Sequence, residues 1–356
     1  MQHDFHLPPE YLFLGDAEAR RRIRAHREAR GGELQIWAHP YQRGDVAELA
    51  DFVGDGVALA RRAAVGPWPR ELVCASVRYV AENARLLAPA TTRVLSPDRA
   101  PGCPMSDSVP CADLERLESL VREHRPGVSI VPLVSVTMDV ECKAWCGELG
   151  GSAVGSSNAS TLLRWALSQA DVVLWAPDAH LATTAARAAG LAGDEILRLG
   201  GESEPDEAAL ARARVVTWNG RCPILSQLQT PQVAALRAAI PGVRVWAQHD
   251  LAPAVVAAAD AAGSLDDVEA WLATEPAGGT LAVASEIHAV ERLAARHPDR
   301  RVVPLAVAFC ASMYELSVAG LLHTLDRLAT AAEVEIDARL ENPARAALER
   351  MLHAAP

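Results

Sequence analysis

Lysine is almost absent from this chain. Lys143 is the only one, and arginine stands at every other Lys/Arg position. A GC-rich coding sequence is the plain cause, because it writes arginine wherever charge alone matters. Positive charge is also scarce: 34 Lys and Arg face 45 Asp and Glu, a formal net charge of −11. That balance argues against nucleic-acid and anionic-membrane partners. No apolar run reaches the ~18–20 residues of a membrane span. The opening stretch MQHDFHLPPEYLFLGDAEARRR lacks the charged-then-apolar pattern of a secretory leader. A cytoplasmic protein is the expectation. What is present is ordinary for a globular chain: 356 residues, 50% hydrophobic and 22% charged. This is too apolar for disorder and long enough for two or three domains.

Seven cysteines are an odd number, and a reducing compartment does not favour a disulfide framework. Reduced cysteines serve as core filler, metal ligands or nucleophiles, so their placement has to decide.

A charged helix is expected over Asp16–Arg30. After it, short apolar runs alternate with Ala- and Leu-rich stretches of helical period. The runs are 34–39, 71–77, 92–98, 128–136, 171–178, 213–220, 243–250, 279–286 and 301–309. Apolar runs without alternation, separated by helices, read as parallel strands buried on both faces. The fold class is therefore α/β. The runs fall into three sets with common features. Each set opens on a strand with a polar end: His39-Pro-Tyr41, Ser135-Val-Thr137 and Gln248-His-Asp250. Each then has a Gly/Ser-rich turn: VGDG (53–56), VGSSNA (154–159) and AGSL (262–265). Each closes on a strand that runs into Cys103, Cys222 or Cys310, with a helix pattern directly after. Three similar αβα domains follow from the repetition. The expected boundaries are an arm at 1–22, domains at 23–115, 116–225 and 226–325, and a C-terminal helical segment at 326–356.

Functional groups of parallel α/β domains gather at the carboxyl ends of the strands. Three domains facing a common centre would bring Cys103, Cys222 and Cys310 together. At helix N-termini the dipole favours the thiolate. Three thiolates form a site for an iron–sulfur cluster or for zinc. Soft ligation without histidine, with one position open, favours [4Fe–4S], whose free iron acts as a Lewis acid. The plain alternative for each cysteine is buried filler, and Cys74 reads that way. Cys111 follows a proline in a loop. Cys142 and Cys146, spaced C-x3-C, are only half a metal site.

At these residues the chain resembles the quinolinate synthase family, over about residues 30–325. The resemblance rests on AHPYQ (38–42), LADFVGD (49–55), VLSPDRAPGCPM (94–105), ECKA (141–144), SSNA (156–159), PDAHL (177–181), WNGRC (218–222), AGS (262–264), SE (285–286) and CASM (310–313). It implies three αβα domains around a pseudo-threefold axis, with a [4Fe–4S] cluster held by three cysteines at the centre. It also implies condensation of iminoaspartate with dihydroxyacetone phosphate. Several positions depart from the family pattern. Ser135 and Thr137 stand where the family has Tyr and Asn, and Leu225 where it has His. Gln248-His249-Asp250-Leu251 replaces His-Pro-Glu-Cys, Leu265 replaces Thr, Gly56 replaces Ser, and Tyr314 replaces Lys.

The expected catalytic residues are His39, Tyr41, and His249 or Asp250; a shift of the alignment by one or two residues makes His249 the catalytic histidine. Ser135, Thr137, Ser156, Ser157, Asn158, Gln248, Ser264 and Glu286 are expected at the substrate, Glu286 from behind. The serines before the helix at 159 have N-capping as a compatible alternative role. Lys143 is expected to pair with Glu141 or Asp139. The leading functional expectation is a family-type [4Fe–4S] enzyme acting on a different small carboxylate or phosphate substrate. Ordinary quinolinate synthesis and a non-catalytic cluster-bearing sensor are the alternatives.

Overall fold

The computed structural model describes residues 7–97, 100–200, 206–276 and 278–354. The first six residues of the expected arm, and Asp98 and Arg99 of the VLSPDRAPGCPM motif, lie outside these ranges.

All nine apolar runs form strands. They are β1 (Leu34–Ala38), β3 (Glu71–Ala75), β4 (Arg93–Leu95), β5 (Ile130–Ser135), β7 (Val172–Ala176), β9 (Val215–Trp218), β10 (Arg244–Gln248), β12 (Thr280–Ala284) and β13 (Arg301–Pro304). Four more are unanticipated: β2 (Phe52–Val53), β6 (Ser152–Val154), β8 (Ile196–Leu199) and β11 (Ala261–Gly263). β2, β6 and β11 begin at or just before the three Gly/Ser-rich turns and are too short to show a pattern.

The strands make three sheets, in the orders β2-β1-β3-β4, β6-β5-β7-β9-β8 and β11-β10-β12-β13. Every strand pairing is parallel. The second sheet has the same order as the others with one strand added at its edge. Sheets covered by helices on both faces need apolar residues throughout, and β5 and β7 are buried along almost their whole length.

The first and third sheets also share a frame. In one, the Asp51 carboxylate accepts the Ile36 N–H at 2.7 Å and pairs with Arg27. In the other, Asp260 accepts the Val245 N–H at 2.8 Å and pairs with Arg237 at 3.0 Å. Trp37 and Trp246 follow one residue after the bonded N–H, and both are buried.

The chain divides into two compact units, residues 1–102 with 310–336 and residues 103–309 with 337–356. The first holds the β1–β4 sheet. Its core joins Ala19 and Ile23 of the helix Asp16–Arg30 to Leu321, Leu322 and Leu325 of the helix Val318–Asp326. The helix Asp16–Arg30 runs across residue 22, the expected end of the arm. The second unit holds the other two sheets and the helix Ala338–His353. That helix crosses the helix Val140–Glu148 so closely that a Cβ on Gly147 would collide with the Pro343 carbonyl. No helix among the described residues is long and apolar enough to cross a membrane.

Candidate active site

The three cysteines begin the same local turn. The N–H of the fourth residue onward donates to the cysteine carbonyl in each: Asp107 to Cys103 at 2.8 Å, Ser226 to Cys222 at 3.0 Å, Tyr314 to Cys310 at 3.1 Å. Cys103 and Cys222 belong to the second unit and influence each other electrostatically. Cys310 belongs to the first. The expectation of stabilised thiolates is corrected for Cys103 and Cys222. Burial pushes both thiols up, and the N–H groups of Ser106 and Leu225 only partly oppose it. The physical reason is that the following helices are single turns, Pro104–Asp107 and the 3-10 turn Leu225–Gln227, with little dipole to offer.

Among the described residues no three or more His, Cys, Asp or Glu side chains are gathered closely enough to hold a metal ion as they stand. What fits a cluster is the donor chemistry. Three free cysteines occupy one repeated turn, and two of them are desolvated thiols that ligation to a cationic centre would stabilise as thiolates.

At the end of β10 the buried Gln248 amide is fully engaged. Its Nε2 donates to Asp250 Oδ2 at 2.6 Å, and its Oε1 accepts from Ser285 Oγ at 2.7 Å. Burial pushes the Asp250 carboxyl up, against the pull of Gln248 and Ser156. His249 donates its backbone N–H to Gly263 O. A second buried acid, Asp178, lies within electrostatic reach of Asp250. It caps the helix Ala179–Ala188 by accepting the His180 and Leu181 N–H groups. Burial and the Asp250 charge push its carboxyl up to about 7. Asp178 was missed as a site residue. Its signal, Pro-Asp ahead of a helix, is that of an ordinary cap.

Ser156 and Ser157 carry buried hydroxyls with no hydrogen-bond partner. Ser156 faces Asp250 without closing a bond to it. Neither caps the helix Ala159–Gln169. Asn158 faces inward instead: its Oδ1 accepts the Gly155 N–H, and its Nδ2 reaches the Met351 carbonyl at 3.4 Å. Ser264 gives its N–H and hydroxyl to Asp267, both at 2.7 Å. Glu286 is fully buried, caps the helix Ile287–Arg296 and pairs with His288 at 2.9 Å. Ser135 and Thr137 hydrogen-bond each other at 2.8 Å.

In the first unit the buried His39 ring accepts the Tyr41 N–H on Nδ1 at 3.0 Å, and the two rings meet edge to face. This leaves the neutral imidazole with its proton on Nε2. Tyr314 stacks under the Arg43 guanidinium, 4.4 Å from the ring centre. Lys143 is fully buried and donates to the Met138 carbonyl, at the start of its own helix. Cys111, Cys142 and Cys146 are free thiols in the apolar core around β5 and β7.

The family model described as quinolinate synthetase A protein matches residues 21–353. A quinolinate synthase of Corynebacterium glutamicum is 34% identical, over 98% of this chain and 91% of that protein. A quinolinate synthase of Halalkalibacterium halodurans is 32% identical, over 99% and 98%. One of Geobacillus kaustophilus is 31% identical, over 97% and 96%.

Proposed function

Because the chain belongs to the quinolinate synthase family, a family of enzymes, we propose that it makes quinolinate from iminoaspartate and dihydroxyacetone phosphate in NAD biosynthesis. The observation that supports this best is the near full-length match to proteins of that name. The match favours the ordinary activity over the altered chemistry expected first from the sequence. We read Cys103, Cys222 and Cys310 as the ligands of a [4Fe–4S] cluster, and the shared turn at the three cysteines supports that reading. The common strand order of the three sheets supports three αβα domains near 23–115, 116–225 and 226–325.

When bound, the cluster supplies a Lewis-acid iron for a substrate oxygen. The chain's own groups do the rest. His39 presents an Nε2 proton because Nδ1 is committed to Tyr41. Tyr41 offers a phenol. Asp250, whose carboxyl is pushed up by burial, is the group we assign to proton transfer, with Asp178 as a second buried acid in reach. The unpartnered hydroxyls of Ser156 and Ser157 are donors for a carboxylate or phosphate. His249 is the alternative proton carrier.

A second reading, a changed substrate on the same cluster, is favoured by one observation. Ser135 and Thr137 satisfy each other, and Leu225 is buried apolar surface, whereas the family pattern has polar Tyr, Asn and His at these positions. Each missing substrate hydrogen bond costs about 1–3 kcal/mol.

Anaerobic reconstitution followed by assay with both substrates separates the readings. Rapid quinolinate formation supports the first. A fully loaded enzyme slower by several powers of ten supports the second. Cys→Ala at each of the three positions is expected to abolish the brown chromophore; full iron content in all three variants would refute the ligand assignment.

A further inference from the structure

The short strap of chain that leads into each of Cys103, Cys222 and Cys310 is fastened at the same point. The Arg78 N–H donates to the Pro101 carbonyl at 2.9 Å, the Ala179 N–H to the Gly220 carbonyl at 2.9 Å, and the Ile287 N–H to the Ala308 carbonyl at 2.8 Å. Each acceptor stands two residues before one of the cysteines. Each donor is the first residue of the helix that follows β3, β7 or β12: Arg78–Leu87, Ala179–Ala188 and Ile287–Arg296. Each bond lies within one unit.

The first N–H groups of a helix have no partner inside it. In two of the three helices the cap carboxylate, Asp178 or Glu286, takes the second and third. The first is the donor that reaches the strap. Two local features add to the grip. After β7, Asp178 and Gly220 form a parallel bridge, and a Cβ on Gly220 would meet the Pro177 carbonyl at 2.5 Å. After β12, the His288 ring, held by Glu286 at 2.9 Å, lies against Phe309, the residue directly before Cys310.

We propose that the first residue of each of these three helices is a positioning residue for a cysteine. Its N–H fixes the strap carbonyl, and so the place of the sulfur two residues on. The proposal rests on the cluster reading above. Straps ordered beforehand lose less freedom when a metal centre binds, so the repeated bond strengthens the hold on the cluster.

The test removes only the N–H. Proline at the first helical position lacks that donor yet suits the helix. Val77 and Glu286 already have the extended backbone that a following proline requires. Arg78→Pro and Ile287→Pro are compared with Arg78→Ala and Ile287→Ala, which keep the N–H. After anaerobic reconstitution, iron content and the rate of iron loss to a chelator are measured beside urea unfolding. Both proline variants are expected to lose iron about two- to tenfold faster than their alanine controls, the factor that one hydrogen bond represents. In the wild-type chain the three N–H groups are expected to exchange slowly with deuterium. Proline variants that unfold at lower urea but hold iron like their controls reveal a merely structural bond and overturn the proposal. Rapid exchange at all three N–H groups of the wild type overturns it as well. If one proline variant does not fold, the other decides. A wild-type chain that takes up no iron overturns the cluster reading and this proposal together, whereas a loaded wild type with unchanged proline variants overturns this proposal alone.

Discussion

The first and third sheets are built on one frame and end in different chemistry. In each, an aspartate ahead of the edge strand accepts a backbone N–H of the central strand and pairs with an arginine of the preceding helix. In each, a buried tryptophan follows one residue later. Beyond the tryptophan they part. β1 leads to His39 and Tyr41, an imidazole with a fixed tautomer beside a phenol. β10 ends in Gln248, an amide that cannot exchange a proton but holds Asp250 and Ser285 in place. The frame is dictated by burial: a desolvated N–H must find an acceptor and a parallel strand must be apolar. The tips are free of that constraint and carry the function.

The third tip differs from the first in its buried carboxyl, Asp250, which lies within electrostatic reach of Asp178 after β7 of the second sheet, and Asp178 gives the sharpest test of that acid pair. Its raised pKa means that the folded chain is stabilised by the protonated acid. That stability is complete below the unfolded value of ~4 and is lost as pH rises through about 7. Asn keeps the helix cap without the charge. Relative to Asp178→Asn, the wild type is expected to lose up to ~4 kcal/mol of stability between about pH 4 and pH 8, measured by urea unfolding at each pH. Parallel curves for the two proteins would remove the acid pair from the comparison.

The shared frame is tested by Asp51→Ala and Asp260→Ala. Each removes an acceptor from a buried strand N–H, at an expected cost of about 1–3 kcal/mol, and the two costs should agree within about 1 kcal/mol. A large cost in one and none in the other would break the equivalence. Asp260 adds a pH signature. Burial pulls its carboxyl up, but the Val245 N–H, Arg237 and Arg244 outweigh this and hold it below the usual range. Its contribution is therefore present above the unfolded value of ~4 and lost as pH falls further, a loss that Asp260→Ala should not show.

The smallest effects are expected at the turns. Asp55 caps the helix Gly56–Val65 through the Val57 and Ala58 N–H groups, so Asp55→Ala should cost about 1 kcal/mol. Ser264, its counterpart after Gly263, gives its hydroxyl only to the nearby Asp267. Ser264→Ala should cost about 0.5–1 kcal/mol in thermal or urea unfolding. Loss of quinolinate formation far beyond that stability change would show that Ser264 meets the substrate.

The long strands were legible because burial on both faces leaves an unbroken apolar run. β2 and β11 were not, because two or three residues carry no period, and one of them, Gly263, has no side chain to show it. β8 was hidden because Ile196 and Leu197 run on into Arg198. The division into units was illegible for another reason. The packing of Leu321 and Leu325 on Ile23 spans some three hundred residues of sequence, and no local pattern reports it. At the site, the cysteines were visible through their repetition. The hydrogen bond between Ser106 and Thr137 was not, since the two lie 31 residues apart. The bond from Asn158 to the last helix was also illegible, because Met351 is 193 residues away.

That last helix has a consequence for the order of events during synthesis. The helix Ala338–His353 lies over Gly147 and takes the Asn158 amide on its Met351 carbonyl, right beside Ser156 and Ser157. The second unit begins at Cys103 but is closed by residues made more than two hundred positions later. Until residues 338–353 have been made, Gly147 lacks its cover and the serine turn lacks the helix that backs it. Docking of that helix is therefore a late step for this part of the chain.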